Sequence, residues 1–133
     1  MGIILDTCIW IGLSEKQISV REIMNLTNGA DIYCSVITLG ELAFGIASCR
    51  DAQERAKRQS VFDELSASQQ LTIAPTTAAL FGELATTLKN KTNPRSYYND
   101  LWIAAQAVEA GFALLTDNKS DFKDLPGLKL LNL

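Results

Sequence analysis

The feature that most constrains the fold is an alternation of short apolar runs with longer segments of helical period. The runs are rich in β-forming residues and bounded by polar ones. They are GIIL (2–5), DIYCS (31–35), LTIA (71–74), FALLT (112–116) and, near the C-terminus, LKLLN (128–132). Strands buried on both faces and joined by helical crossovers form parallel sheets covered by helices. The sequence therefore predicts one α/β domain over residues 1–133, with a central, mostly parallel sheet of four or five strands and helices on both faces.

Helical segments fill the intervals between these runs, because apolar residues recur there at helical spacing. The predicted helices cover 8–14, 18–28, 36–49, 51–68, 76–90 and 100–111. Asn28-Gly29 and Gly111 are expected to end helices, since both residue types adopt the left-handed conformation readily. Pro75 is expected to end the third strand, and the polar residues 89–99 are expected to form a loop.

Histidine is absent from the whole chain, and its absence excludes several classes of enzyme chemistry. No Ser-His-Asp triad, imidazole base or histidine-ligated metal site can form. Cys8, Cys34 and Cys49 are odd in number and lack C-x-x-C spacing, which argues against a disulfide framework or zinc site and favours a cytoplasmic location. No apolar run is long enough for a membrane span, and the N-terminal residues are not expected to be a secretory signal.

Four acidic residues fall where this architecture binds ligands, beyond the carboxyl ends of the strands. Asp6 directly follows the first predicted strand, and Glu41 lies near the start of the helix after the second. Asp100 opens the helix that leads into the fourth strand, and Asp117 follows Thr116 at the end of that strand. Residues that are far apart in the sequence are therefore expected to meet at one edge of the sheet.

Each acid taken alone also has a structural explanation. Asp6 could cap a helix, and Asp117 could favour a turn. Glu41 could complete a capping box, and Asp100 could interact with a helix dipole. The four together are harder to explain, because two carboxylates about 4 Å apart repel by about 4 kcal/mol at an effective dielectric of about 20. Oxygen ligands without histidine or cysteine favour Mg²⁺ or Mn²⁺, which can activate a water for attack on a phosphodiester.

The acids lie in four motifs that occur in order over essentially the full length of the chain. The motifs are IILDTCIW (3–10), SVITLGELAFG (35–45), NDLWIAAQA (99–107) and LLTDNKSDF (114–122). In this order and spacing they resemble the PIN-domain nucleases, and among these the VapC-type toxins of bacterial toxin–antitoxin pairs. The resemblance implies a PIN-like three-layer sandwich and an endoribonuclease that depends on Mg²⁺ or Mn²⁺. It also implies a homodimer, larger toxin–antitoxin assemblies and inhibition by an antitoxin segment in the active-site groove.

Carried over by motif, the resemblance assigns Asp6, Glu41 and Asp100 to the first three acidic positions of the family. Two residues match the fourth position, Asp117 directly after the strand and Asp121 four residues later. We predict that Asp117 is the catalytic acid, because its side chain can point over the edge of the sheet. Asp121 is predicted as a further metal ligand, although it could equally cap a short helix.

Polar residues beside the acids are expected to support them. Thr7 and Thr116 adjoin acids in the sequence and could orient them or a metal-bound water. Ser35 and Asn118 could do the same, and Ser35 could instead cap its helix. Cys8 stands where many relatives carry asparagine, and we expect it to be structural rather than catalytic.

The net charge of −3 is unusual for a protein that binds RNA, but acids committed to a metal would account for much of it. One predicted RNA-binding group combines basic residues with aromatic ones: Lys89, Lys91, Arg95, Tyr97 and Tyr98. Such a combination suits unpaired bases. A second basic group is Arg55, Lys57 and Arg58. Either group could also be a solvated surface, and Trp102 is expected in the core or a dimer contact.

Two other functions remain open at this stage. The first is a catalytically silent PIN-like domain that binds RNA or protein, although acids at all four positions argue against it. The second is another Mg²⁺-dependent class, such as a phospho-aspartate phosphatase or a receiver domain. The phosphatase would require a D-x-D-x-[TV] motif at Asp6, and the receiver would require a lysine at the end of a late strand.

Overall fold

A wholly parallel, five-stranded sheet forms the centre of the computed structural model, which describes residues 1–88 and 97–133. The strand order is β3-β2-β1-β4-β5. The strands are β1 (Gly2–Leu5), β2 (Asp31–Ser35), β3 (Gln70–Leu71), β4 (Ala113–Thr116) and β5 (Lys129–Asn132). The helices are α1 (Thr7–Ser14), α2 (Val20–Thr27), α3 (Val36–Ser48), α4 (Ala52–Ser66), α5 (Pro75–Leu88), α6 (Tyr98–Ala110) and α7 (Lys119–Phe122). The predicted fold class is confirmed, including the fifth strand.

The two faces of the sheet carry separate hydrophobic cores. In the central strand β1, Ile4 points into a core built with α5, α6 and α7. Its neighbours Ile3 and Leu5 point into the opposite core, where they meet α1 and α2. This alternation follows from the two-residue period of a strand. The sheet is therefore the middle layer of three, and each described connection from a strand to the following helix leaves from its carboxyl edge.

Helix boundaries follow the local capping chemistry. Ser19 and Glu22 form a reciprocal capping box at the start of α2, with both hydrogen bonds at 3.1 Å. Asn28 ends α2 with φ 55°, and Gly111 ends α6 with φ 70°. Both terminators were expected from the sequence, and both are confirmed.

The predicted third strand is wrong in extent, because β3 contains only Gln70 and Leu71. Beyond Leu71 the chain makes other hydrogen bonds. The Gln106 side-chain amide donates to the carbonyls of Leu71 and Thr72, at 2.8 and 3.2 Å. The Ala74 N–H donates to the Thr77 hydroxyl at 3.0 Å as α5 begins. Backbone groups that are satisfied by side chains in this way do not extend the ladder.

The predicted loop at 89–99 is corrected at its end, because α6 begins at Tyr98. The remainder of that prediction, residues 89–96, lies outside the described residues. Among the helices of residues 1–88 and 97–133, none is long and apolar enough to cross a membrane.

Candidate active site

Asp6 lies at the junction of β1 and α1 and is only 5% exposed. Its Oδ1 accepts a hydrogen bond from the Thr7 N–H at 2.8 Å, so it caps α1 as one interpretation of the sequence proposed. Its Oδ2 accepts from the Thr116 hydroxyl at 2.8 Å and from the Cys8 thiol at 3.5 Å. Burial raises the pKa of the Cys8 thiol, which keeps it protonated and able to donate. Asp6 can therefore cap α1 and belong to an acidic site at the same time.

Glu41 is connected to α1 through two threonines. The Thr7 hydroxyl donates to Glu41 Oε1 at 2.7 Å and lies 2.9 Å from the Thr38 hydroxyl. Since a hydroxyl has one proton to donate, the Thr38 hydroxyl must donate to Thr7. The capping-box interpretation of Glu41 is wrong, because Ser35 is the N-cap of α3 and Glu41 lies in the second turn. Glu41 is held by side chains and not by the end of its helix.

Asp100 lies in the first turn of α6, where its carboxylate is partly buried among other acids. Burial, together with the negative charges of Asp6, Asp121 and Glu41, raises its pKa to about 7. Acids from four separate segments therefore act on each other at this edge of the sheet. Within the described part of the chain, no lysine or arginine forms an ion pair with any of the four.

The structure places Asp117 and Asp121 differently. Asp121 is half-buried in α7, and its charge contributes to the raised pKa of Asp100. Asp117 is exposed and is not among the charges that act on Asp100, and its backbone N–H is directed at the Cys8 sulfur. The fully buried Phe122 anchors α7 in the core next to Asp121. The charge of Asp121 therefore acts on Asp100, whereas that of Asp117 does not, and the role of either residue stays a prediction.

The remaining predicted support residues divide into two groups. Thr7 and Thr116 contact acids directly, as described above, and the Asn118 N–H donates to the Thr116 hydroxyl at 2.9 Å. Ser35 contacts none of the acids: it accepts from the Ile37 N–H at 3.0 Å and donates to the buried Gln106 side chain. Ser35 therefore caps α3 and links it to α6.

Two residues of the site network were not found from the sequence. Thr38 donates a hydrogen bond to Thr7, which in turn donates to Glu41. Thr38 lies one helical turn before Glu41, and this spacing could have indicated the connection. Gln106 links β3, Ser35 and α6, and it lies within the third motif. A glutamine in an alanine-rich, apolar helix could have indicated a buried hydrogen bond.

The predicted RNA-binding residues lie only partly in the described chain, because Lys89, Lys91 and Arg95 fall outside it. The rings of Tyr98 and Trp102 both pack on Phe81 of α5, with centroids 5.4 and 4.0 Å away. Since successive helical residues are about 100° apart, Asp100 points to the opposite side of α6 from these two rings. Tyr97 packs against the core. The two tyrosines thus contribute to the packing of α5 on α6.

Two arginines of the second basic group connect α4 to the C-terminal part of α3 through hydrogen bonds. Arg55 donates to the Cys49 carbonyl at the end of α3, with Nε at 3.0 Å. Arg58 donates to the Gly45 carbonyl at 2.8 Å and pairs with Glu54 at 3.3 Å. Lys57 is exposed.

A groove of about 490 Å³ opens beside Glu41 and Thr7. It lies between α1, α3 and the start of α6, and most of its lining is apolar. The lining residues are Thr7, Ile11, Val36, Ile37, Gly40, Glu41, Leu42, Phe44 and Asn99. Two of its apolar side chains are unusually accessible, Ile11 at 40% and Phe44 at 74%. The acidic cluster therefore has an adjoining apolar surface.

The four acids match a hard divalent cation in their chemistry, since they offer only oxygen donors and uncompensated negative charge. In the structure, however, their side chains are not arranged as the ligands of one metal ion. Among residues 1–88 and 97–133, no three cysteine, aspartate or glutamate side chains have the arrangement of a metal site. Because the acids repel each other, rotation of their side chains inward would require a cation or protons between them.

The fold and the site define a class: parallel α/β proteins in which acidic residues from separate segments meet beyond the carboxyl ends of the strands. The sequence profile of the PIN domain matches residues 3–128. The chain belongs to the PIN-domain family.

Relatives and solved structures of this family match the chain over nearly its full length. Ribonuclease VapC from Rickettsia bellii is 30% identical, covering 100% of this chain and 97% of that protein. Ribonuclease VapC4 from Mycobacterium tuberculosis is 27% identical, covering 96% and 94%. VapBC2 from Rickettsia felis, bound to a DNA fragment from its promoter, contains a chain with a TM-score of 0.80, 27% identity and coverage of 100% and 99%. DNA-bound VapBC from Salmonella typhimurium, at a TM-score of 0.79, 24% identity and coverage of 99% and 98%, shares the fold.

Proposed function

We propose that this protein is a divalent-metal-dependent endoribonuclease and the toxin of a VapBC-type toxin–antitoxin pair. One observation carries the proposal: carboxylates from four distant segments converge at one edge of the sheet, without a compensating lysine or arginine in the described chain. The names of the full-length relatives, each a ribonuclease of the VapC type, support RNA as the substrate.

In this proposal Asp6, Glu41, Asp100 and Asp121 hold Mg²⁺ or Mn²⁺. The bound ion would polarise a water and a phosphate oxygen of the RNA. The protein's own contribution is orientation: three donors fix the Asp6 carboxylate, and the Thr7 hydroxyl fixes Glu41 Oε1. Asp100, whose pKa is raised to about 7 by burial and by the neighbouring acids, would serve as a ligand in its deprotonated form.

Asp117, which the sequence predicted as the catalytic fourth acid, has another role in the proposal. Its exposure, and its absence from the charges that raise the pKa of Asp100, support a role at the edge of the site, where it could contact substrate or a metal-bound water. Asp121 takes the position of the fourth acid. The two assignments are tested below by metal affinity.

The proposed partner is an antitoxin whose segment occupies the groove beside Glu41. The described part of its lining is mostly apolar and contains no lysine or arginine, which suits protein side chains better than RNA phosphates. Several solved structures similar to this chain are VapBC complexes, which supports a protein partner. A homodimer, larger assemblies with the antitoxin and a cytoplasmic location, where RNA is available, complete the proposal.

The proposal is tested by RNA cleavage. Purified protein is incubated with structured and unstructured RNAs in Mg²⁺, Mn²⁺ or EDTA, beside Asp100→Asn. We expect metal-dependent cleavage that falls at least about 100-fold in Asp100→Asn, since a ligand and a charge are lost together. Glu83→Gln, which changes an exposed acid on α5, is the control and should retain wild-type activity. Cleavage that persists in EDTA or in Asp100→Asn would contradict the mechanism.

One observation favours the alternative of a catalytically silent PIN-like domain that binds RNA or protein. Within residues 1–88 and 97–133 the acids do not yet form a three-ligand metal site. This alternative predicts RNA or antitoxin binding with no cleavage in any metal and no binding of Mn²⁺. Calorimetric titration of the protein with Mn²⁺ distinguishes the two functions.

A further inference from the structure

Gly40 lies inside α3, next to Glu41, and nothing in the part of the chain that the structure describes requires a glycine there. A Cβ added at Gly40 would meet no atom within 4 Å. The glycines with positive φ are Gly29, Gly111 and Gly127, so Gly40 does not have the conformation that favours this residue. A glycine inside a helix lowers its stability relative to alanine. Gly82 in α5 shares these features, so a role for Gly40 depends on the surface that it faces.

Gly40 forms a gap in the apolar stripe that faces the groove. Val36, Gly40 and Phe44 are each four residues apart and lie on one side of α3, and all three line the groove. At Gly40 the helix backbone is uncovered between two larger side chains. Phe44, one turn further on, is 74% exposed, so the stripe has apolar surface that the described residues do not cover.

The chemistry of the groove favours a protein segment as its occupant. Among the described residues that line the groove there is no lysine or arginine to meet phosphates, and the Glu41 carboxylate would repel them. A protein segment, in contrast, can place apolar side chains against Ile37 and Phe44 and bring its backbone close to Gly40. Close approach of two backbones is the situation in which glycine is favoured over every other residue.

We propose that Gly40 is a specificity-determining residue of the antitoxin interface: the antitoxin segment packs directly against the α3 backbone at this position. This inference rests on the proposed function, which supplies the partner. The free toxin is less stable because of Gly40, and the complex is tighter because of it. A side chain at position 40 should reverse both effects.

Gly82 provides a matched control. It lies inside α5, is exposed, and also has no atom within 4 Å of an added Cβ. It does not line the groove. Substitutions at the two glycines should therefore affect the stability of the free chain alike and differ only in binding.

The experiment compares Gly40→Ala, Gly40→Gln, Gly82→Ala and Gly82→Gln. Thermal unfolding is measured on each free protein, and calorimetry measures its affinity for the small protein encoded beside this chain's gene. We expect both alanine variants to raise Tm by about 2–5 °C. We expect Kd to rise about tenfold in Gly40→Ala, to rise further in Gly40→Gln, and to change less than about twofold at position 82.

The outcomes separate the inference from the function on which it rests. If the wild-type chain does not bind the neighbouring protein, the proposed partner is wrong and the inference fails with it. If the wild type binds and both Gly40 variants bind equally well, only the inference is wrong. The inference is also overturned if Gly40→Gln blocks RNA cleavage but leaves antitoxin affinity unchanged, since the groove would then hold RNA. Destabilisation by Gly40→Ala, but not by Gly82→Ala, would reveal an internal role for Gly40 and overturn it as well.

Discussion

At the scale of single residues, Asp6 combines a structural and a chemical position. It caps α1 through one carboxylate oxygen and accepts from Thr116 and Cys8 through the other. Each carboxylate oxygen has two lone pairs, so Oδ1, which accepts one hydrogen bond, keeps one lone pair for a cation. Donors of this kind around a ligand hold its orientation and influence its metal affinity. The buried Thr116 is therefore a support residue for Asp6 and not a ligand in our account.

The first prediction at this scale concerns the fourth acid. We expect Asp121→Asn to weaken Mn²⁺ binding about tenfold or more, because the charge of Asp121 acts on Asp100. Asp117→Asn should change it by less than about threefold, since Asp117 is exposed and has no resolved effect on Asp100. Calorimetric titration of the two variants measures the difference. A larger loss in Asp117→Asn would restore the ranking that the sequence suggested.

The sequence was sufficient to place Asp6, Glu41 and Asp100 at one edge of the sheet, because the ends of parallel strands can be located from apolar runs. It was insufficient for the choice between Asp117 and Asp121. That choice depends on how α7 folds back, and α7 is positioned by the burial of Phe122 rather than by a local pattern. The hydrogen-bond partner of Gln106, Ser35, could not be predicted from the sequence either, because it depends on how distant segments pack together.

At the scale of secondary-structure elements, the helix that carries Glu41 is tied to the helix that carries Asp100. Ser35 caps α3 and donates to Gln106 of α6, and Gln106 in turn donates to the carbonyls of Leu71 and Thr72. The short β3 explains why these carbonyls are free to accept from a side chain. One buried amide thus joins two helices and the edge of the sheet.

The second prediction tests this junction. Gln106→Leu should lower the free energy of unfolding by about 1–3 kcal/mol, because the buried Ser35 hydroxyl loses its acceptor and the carbonyls lose their donor. Urea unfolding measures the change. Gln53→Leu, on the exposed surface of α4, should alter the free energy by less than about 0.5 kcal/mol. Equal effects at the two positions would show that Gln106 does not join α3 and α6.

At the scale of the whole molecule, two apolar cores hold together a sheet whose carboxyl edge collects negative charge. Burial of Ile4 on one face and of Ile3 and Leu5 on the other stabilises the fold. Repulsion among the acids around Asp100 opposes it in the absence of a cation. The metal-free protein should therefore be less stable than the same protein with its acids neutralised.

The third prediction is a pH dependence of stability in the metal-free protein. The pKa of Asp100 is about 7 in the folded state, whereas its ordinary value is 3.8. Between these pH values the folded state binds more protons than the unfolded state, so stability falls as pH rises from about 4 to about 7 and then levels off. Asp100→Asn should remove this fall, leaving the variant more stable at pH 8 by about 1–2 kcal/mol after solvent screening is allowed for. Denaturant unfolding at pH 5 and pH 8 measures both effects, and an unchanged pH dependence in Asp100→Asn would contradict the assignment.

The central claim is that these carboxylates together form one cation site, and the shift of Tm on addition of Mn²⁺ at pH 8 tests it most directly. The account predicts a saturable rise in Tm for the wild type and for Glu83→Gln, because an ion that binds only the folded state stabilises it. It predicts little or no rise for Asp100→Asn. Absence of a shift in the wild type, or an equal shift in Asp100→Asn, would contradict the claim.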